Sequence, residues 1–230
     1  VHLKDTSNLS TIGRSLAMLS SQRNKTGIEA IRHMTLLHLL SPLSPESLDR
    51  CLELLEANSH SQQIDFLRIC ALKHASAKND KQRSQIIFYC SELFDLNDNT
   101  ELVIFNRWLA RLGAFNAVLE FLPASKAKVD EELFKLRMNA LAQMNNLERI
   151  HEEINIAPII PSRWRLVVEA RAHSMNGNFK DASKSLDRLL PILGDAPRLV
   201  RSVCHYLETA NDIRNLTHIL VQLIEKPIHS

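Results

Sequence analysis

Histidines, cysteines and paired acids are the residues of this chain that could carry out chemistry, but their spacing matches no catalytic or metal-binding pattern. His33 and His38 are five residues apart, so they miss the i, i+4 spacing that places two ligands on one helix face. Cys204 and His205 are adjacent, so their side chains diverge on a helix. The other histidines are scattered, and the four cysteines form no C-x-x-C pair. We therefore expect no metal site and no cofactor.

Nucleophilic catalysis also lacks its usual sequence signals. The chain has five glycines, and they form neither a G-x-S-x-G elbow nor a Gly-rich phosphate loop. Adjacent acids such as Glu131 and Glu132 are typical of solvated helix surfaces. We expect a protein that is not an enzyme.

Composition and charge further limit the classes of protein to which the chain could belong. Of 230 residues, 45% are hydrophobic and 23% are charged, as in a soluble globular protein. No apolar run is long enough for a transmembrane helix, so we expect no membrane insertion of this segment. The formal net charge is only +2, which argues against nucleic acid as a partner. The cysteines lie among apolar residues, which predicts reduced, buried thiols and a cytoplasmic location.

The chain begins with Val1 rather than Met. We interpret it as a fragment of a longer protein, whose missing part could carry an anchor or a targeting signal.

The elements that position these side chains are predicted to be helices throughout. Apolar residues recur with the rhythm of a helix face, and no long run alternates with a period of two. At least twelve helices are expected. The predicted ranges are 5–22, 26–40, 45–56, 62–78, 81–94, 100–112, 114–122, 129–144, 147–154, 162–176, 179–190, 196–210 and 213–225.

An internal repeat organises these helices. Small or turn-forming residues that end one helix before the next begins recur at separations of 34, 32, 32 and 34 residues: Asn79, Gly113, Asn145, Gly177 and Asn211. Gly and Asn tolerate the left-handed backbone found at helix C-termini. A period near 33 residues with two helices per period predicts a stack of antiparallel helix pairs.

The repeat resembles the tetratricopeptide repeat (TPR). Residues 177–182, Gly-Asn-Phe-Lys-Asp-Ala, are similar to the G-x-[YF]-x-x-A signature between the two helices of that family, and residues 112–115 offer a second match. The resemblance covers about residues 96–228. It implies an all-α, right-handed superhelical solenoid of antiparallel helix pairs.

The expected domain organisation follows from this resemblance. Residues 1–25 would form an N-terminal helical cap, residues 26–95 two degenerate helical hairpins, and residues 96–230 four TPR-like hairpins. No linker forces a split, so we expect one continuous solenoid domain.

A concave groove is what the resemblance implies for function. The groove-facing positions of the family's first helices fall mainly on cations here, and the candidate partner-binding residues are Arg107, Arg111, Lys135, Asn139, Trp164, Arg171, Arg198, Arg201 and His205. A basic groove would suit an acidic peptide or protein segment. The expected function is therefore a non-enzymatic protein–protein interaction scaffold.

Alternatives remain open at this stage. The same charges could be solvated helix faces without a binding role. Trp164 could be either a groove anchor or a packing residue. The chain could also be a structural or oligomerisation module that packs against another domain, or self-associates through a terminal hairpin carrying Leu220, Leu223 and Ile224.

Overall fold

Helices are the regular elements of the chain. Its structure, a computed structural model, describes residues 6–38, 40–194 and 196–225, with side chains from residue 11 to residue 224. Within these ranges there are fourteen helices and no strand. They are α1 Thr6–Ser20, α2 Lys25–Leu37, α3 Pro45–Glu56, α4 Gln63–Ser76, α5 Asp80–Ser91, α6 Asn99–Arg111, α7 Phe115–Phe121, α8 Ala124–Ala127, α9 Glu131–Gln143, α10 Leu147–Asn155, α11 Ser162–Met175, α12 Phe179–Leu193, α13 Pro197–Thr209 and α14 Ile213–Glu225.

The all-α class is confirmed. Thirteen of the fourteen helices in the described residues overlap a predicted range, and the single turn α8 was not predicted. Helix ends differ from the prediction by up to three residues: α2 and α5 end three residues earlier, at Leu37 and Ser91, and α12 continues past Pro191 to Leu193 instead of ending at residue 190. Pro191 lies in the last turn, so its missing N–H removes only one hydrogen bond near the end of the helix. The helix stops at Gly194, whose φ is 45°.

The periodic turn residues adopt the left-handed backbone that the repeat predicts. The φ angles of Gly113, Asn145, Gly177 and Asn211 are 71°, 57°, 75° and 54°. At each one, the amide of the following residue donates to the carbonyl five residues before it, as Asn178 does to His173 at 2.8 Å. The turn residue's own amide donates to the carbonyl three residues before it. The four turns are thus the same Schellman motif.

Asn79 is the exception, and its assignment to this series was wrong. Its φ is −154°, which is extended backbone, and its side chain accepts a hydrogen bond from the Gln82 amide at 2.9 Å. Asn79 therefore begins α5 as its N-cap instead of ending α4.

The chain divides into two compact units, Val1–Asp95 and Leu96–Ser230. In the first unit, α1 packs along α2, and α4 packs against α3 and α5. A buried ion pair joins α2 to α4, because Arg32 donates to both oxygens of Asp65 at 2.7 and 2.9 Å. The single continuous solenoid remains a prediction.

In the second unit, the first helices of successive pairs are neighbours. Helix α9 packs against both α6 and α11, and each first helix also packs on its own second helix: α6 on α7, α9 on α10, α11 on α12 and α13 on α14. Apolar side chains from α9 to α14 form one buried core, with Phe134, Leu141, Val167, Leu186 and Leu207 among its members, and Leu102 of α6 belongs to a second cluster with Leu122, Ala127 and Leu133. This packing fixes the first helices that carry the candidate site.

Candidate functional site

A single groove in the second unit collects most of the polar side chains expected to bind a partner. It encloses about 590 Å³ and is formed by α6, α9 and α13; we call it the α6–α9–α13 groove. A volume of this size is within the range of ligand-binding clefts. Its lining residues are Arg107, Ala110, Arg111, Glu132, Lys135, Leu136, Asn139, Ser202, His205, Tyr206, Thr209 and Ala210.

Helix caps set the starting points of two of the three groove helices. The Asp98 carboxylate accepts hydrogen bonds from the amides of Thr100 and Glu101 at 2.8 and 2.9 Å, and so begins α6. Asp130 does the same for α9. The hydrogen bond from the Glu101 amide is the main cause that lowers the pKa of Asp98, so this cap stays ionised at the positive end of the helix.

Five of the nine predicted residues lie together in this groove. Arg107 and Arg111 come from α6, Lys135 and Asn139 from α9, and His205 from α13. The spacing of four residues within α6 and within α9 places each pair on one face of its helix. The structure thus brings together side chains from three separate helix pairs.

The other four predicted residues lie elsewhere. Arg198 and Arg201 are exposed on α13 but are not among the groove's lining residues. Trp164 and Arg171 are each only 2% exposed. A direct contact of Trp164 or Arg171 with a partner in the groove is therefore not available in this structure. Trp164 is a packed residue in this structure.

Trp164 and Arg171 form a layer beneath the groove residues. The Lys135 ammonium lies 4.2 Å from the centre of the Trp164 ring, a cation–π contact, and Tyr206 meets the same ring edge-on at 5.7 Å. Arg171 donates a hydrogen bond to the Asn139 side chain, and its guanidinium lies 6.0 Å from the Tyr206 ring. Both buried residues therefore hold groove side chains in place from α11.

Glu132 is the acidic residue among the lining residues, and it holds two of the cations. It accepts a hydrogen bond from Arg107 at 2.7 Å and another from Lys135. Burial raises the pKa of Glu132, but these two hydrogen bonds outweigh it, so the pKa lies below its ordinary value. Glu132 stays ionised and draws Arg107 and Lys135 toward each other.

Arg111 differs from the other groove cations. Its side chain is exposed, and the structure gives it no ion pair within the part of the chain that it describes. Three cations and one carboxylate line the groove, so its local charge is positive although the whole chain is nearly neutral. A negatively charged group in the groove could pair with Arg111 without displacing a salt bridge of the described residues.

Several lining residues were not among the predicted set. Ser202, Tyr206 and Thr209 follow each other at four and three residues along α13, which is the spacing of one helix face. This face also contains His205, so its period could have identified them. Tyr206 contributes an aromatic ring whose hydroxyl oxygen is enclosed and forms no hydrogen bond.

Comparison with known proteins adds no assignment: no protein-family model, curated protein or solved structure matches the chain. Among the described residues, none of the helices combines the length and the apolar character needed to cross a membrane.

Proposed function

We propose that the α6–α9–α13 groove binds an acidic peptide or protein segment, and that the chain is a non-enzymatic protein–protein interaction scaffold. One observation carries this proposal. Side chains at five positions, selected because the repeat register faces them into a common groove, do line one groove, and three of them are cations. Helix packing, rather than a mobile loop, holds the groove open for a ligand.

The architecture that we propose is a TPR-like, right-handed superhelix. Two features support it: the identical Schellman turns at a spacing of 32 to 34 residues, and the contacts of α9 with the first helices on either side. In such a stack a concave surface forms along the first helices, and it presents side chains that can vary without loss of the core.

Recognition would combine preorganised and unpaired charges. Arg107 and Lys135 are already oriented by Glu132, so little side-chain entropy is lost when a ligand carboxylate joins them. Arg111 is available for a new charge-assisted hydrogen bond. Leu136 and the Tyr206 ring offer apolar surface beside these charges, which suits a peptide with acidic and aliphatic residues.

A selection with random 12-residue peptides displayed on phage tests this proposal directly. We expect enrichment of sequences rich in Asp and Glu. The affinity of the best synthetic peptide is then measured by fluorescence polarisation. The groove variant R107Q/R111Q should bind about 30-fold more weakly, because two exposed charge contacts contribute about 1 kcal/mol each.

The matched control is R198Q/R201Q. It removes the same charge from exposed positions of α13 outside the groove, so it should bind within about twofold of the parent chain. Equal losses in both double variants would mean that the peptide responds only to net charge. If the selection shows no enrichment of acidic peptides, or if R107Q/R111Q binds as tightly as the parent chain, the groove is not the binding site of an acidic peptide.

Helix α14 favours a second candidate function, which is self-association or packing on another domain. Ile224 is 82% exposed, and Leu220 and Val221 are each 42% exposed. Neighbouring exposed apolar residues on one helix are a common basis of assembly. Sedimentation equilibrium of the parent chain and of L220Q/I224Q separates the two functions. A concentration-dependent dimer that the variant abolishes would support assembly.

A further inference from the structure

Two histidines and a glutamate come together on the second unit, away from the lining of the α6–α9–α13 groove. His151 lies on α10, and Glu169 and His173 lie on α11. One potential ligand atom from each of the three lies within 4.8 Å of the other two. The two imidazole rings are 5.2 Å apart. The sequence did not predict this cluster, because His151 and His173 are far apart along the chain.

Helix geometry explains why these residues meet. Glu169 and His173 are four residues apart on α11, so they share one face of that helix. Helix α10 packs against α11 and supplies His151. The cluster therefore lies where the second helix of one pair contacts the first helix of the next pair.

One nitrogen of each histidine has no hydrogen-bond partner among the residues that the structure describes. His151 Nε2 and His173 Nδ1 are both enclosed, and neither forms a hydrogen bond. Enclosed polar atoms are nearly always paired, so two such atoms on neighbouring imidazole rings indicate a missing partner. A cation that accepts nitrogen lone pairs would satisfy both imidazoles at once.

Glu169 is oriented by a neighbouring side chain. Its Oε2 accepts a hydrogen bond from the Ser185 hydroxyl at 3.0 Å, and the Arg188 guanidinium lies 3.8 Å from the same oxygen. Both contacts use Oε2, which leaves Oε1 for a further interaction. Outer-shell hydrogen bonds of this kind are typical of metal-bound carboxylates.

We propose that His151, Glu169 and His173 bind a divalent transition-metal ion, with Zn²⁺ as the best-fitting ion. Two imidazoles and one carboxylate form a known zinc ligand set, with water in the fourth position, whereas Mg²⁺ and Ca²⁺ prefer oxygen ligands throughout. Ligands about 2.1 Å from a tetrahedral ion lie about 3.4 Å apart. Atoms within 4.8 Å reach that spacing by small side-chain rotations. The ion would join α10 to α11.

Isothermal titration with Zn²⁺ tests the site in the full chain under reducing conditions. We expect one strong equivalent in the parent chain and at least about a 100-fold loss of affinity in H151Q/H173Q. The control H33Q changes an exposed histidine on α2 and should keep the parent affinity. Mg²⁺ should compete with Zn²⁺ in neither protein. Equal Zn²⁺ affinity in the parent and in H151Q/H173Q would overturn the proposal.

Two further measurements separate a loss of Zn²⁺ ligands from a loss of folding. E169Q retains an oxygen acceptor for Ser185, and it should lose about tenfold in Zn²⁺ affinity while its melting temperature in EDTA stays near that of the parent. In the unmutated chain, ¹H–¹⁵N spectra of the imidazoles should show the signals of His151 and His173 shifting together at one equivalent of Zn²⁺. Shifts confined to other histidines, or to none, would refute the site.

Discussion

Replacing Arg137 with methionine should destabilise the second unit more than any surface substitution. Arg137 lies on α9 and is only 1% exposed. It donates to both oxygens of Glu153 on α10 at 2.6 and 2.7 Å. Its third nitrogen donates to the backbone carbonyls of Leu122 and Leu119 at the end of α7, at 2.5 and 3.3 Å. One side chain therefore ties three helices together.

The magnitude follows from what the substitution leaves behind. R137M keeps much of the apolar volume, but it leaves the Glu153 carboxylate, in a residue 7% exposed, without its main partner. Loss of one member of a buried ion pair costs about 3–5 kcal/mol. Arg149 still donates to Glu153 at 3.1 Å and compensates in part. We therefore expect a loss of about 3 kcal/mol in the free energy of unfolding.

The double variant R137M/E153L should cost less than R137M alone. It also removes the Glu153 carboxylate, which R137M leaves without its main partner. Replacement of a buried ion pair by apolar side chains often leaves the stability nearly unchanged. The two freed carbonyls at the end of α7 still lose a partner, so we expect a net loss of about 1–2 kcal/mol. The control R149M removes a half-exposed cation and leaves Glu153 with both hydrogen bonds from Arg137, so it should cost less than about 0.5 kcal/mol.

Urea denaturation followed by tryptophan fluorescence measures these values. Both tryptophans, Trp108 and Trp164, are buried in the second unit, so their emission reports the unit that contains the ion pair. A loss below about 1 kcal/mol for R137M would refute the reasoning, since it would mean that water or Arg149 satisfies Glu153 at no cost. Additive losses in the double variant would refute the coupling between the two side chains.

Other substitutions and probes test separate parts of the structure. N145G should stabilise the chain by about 0.5 kcal/mol and N145A should destabilise it by about 1 kcal/mol, both measured by urea denaturation, because the residue has a left-handed φ of 57°. A thiol reagent with mass-spectrometric detection should label Cys204 before Cys51, since Cys51 is buried and Cys204 is only partly buried; burial raises the pKa of both thiols, that of Cys51 to about 11. Glu132 has a lowered folded pKa, so its salt bridges stabilise the fold above the unfolded pKa of about 4.3, and that contribution is lost as the pH falls through the folded pKa. The stability difference between the parent and E132Q should therefore narrow toward acid, and a constant difference would contradict this assignment.

Local sequence signals predicted thirteen of the fourteen helices in the described residues and four of the five turns. Gly113 and Gly177 supply the left-handed turn without a side-chain clash, and Asn145 and Asn211 supply it with the next most tolerant residue, so the period is visible in residue types alone. The prediction that Asn79 ends a helix was wrong because asparagine also begins helices as an N-cap. An asparagine can stand at either end of a helix, depending on its neighbours in space. The regular spacing along the chain does not tell the two ends apart.

The cluster of His151, Glu169 and His173 could not be predicted from the sequence, for a different reason. The four-residue spacing of Glu169 and His173 indicates that they share one helix face. His151, however, is 22 residues before His173 and belongs to another helix. Only the packing of α10 on α11 brings the two histidines together. Contacts between pairs depend on how adjacent helices cross, and crossing is set by side-chain packing.

The candidate groove shows where a repeat register predicts well and where it fails. The register selects one face of each first helix, and on α6 and α9 side chains of that face, Arg107 and Lys135 among them, line the groove. On α11 the same face is covered by Lys135, Asn139 and Tyr206. Arg171 and Trp164 therefore satisfy the register and still act as support. A buried cation under a basic groove is costly unless it is hydrogen-bonded, and Asn139 provides that bond. Charge on the predicted face thus has two uses here, and burial separates the residues that can meet a ligand from those that hold the others in place.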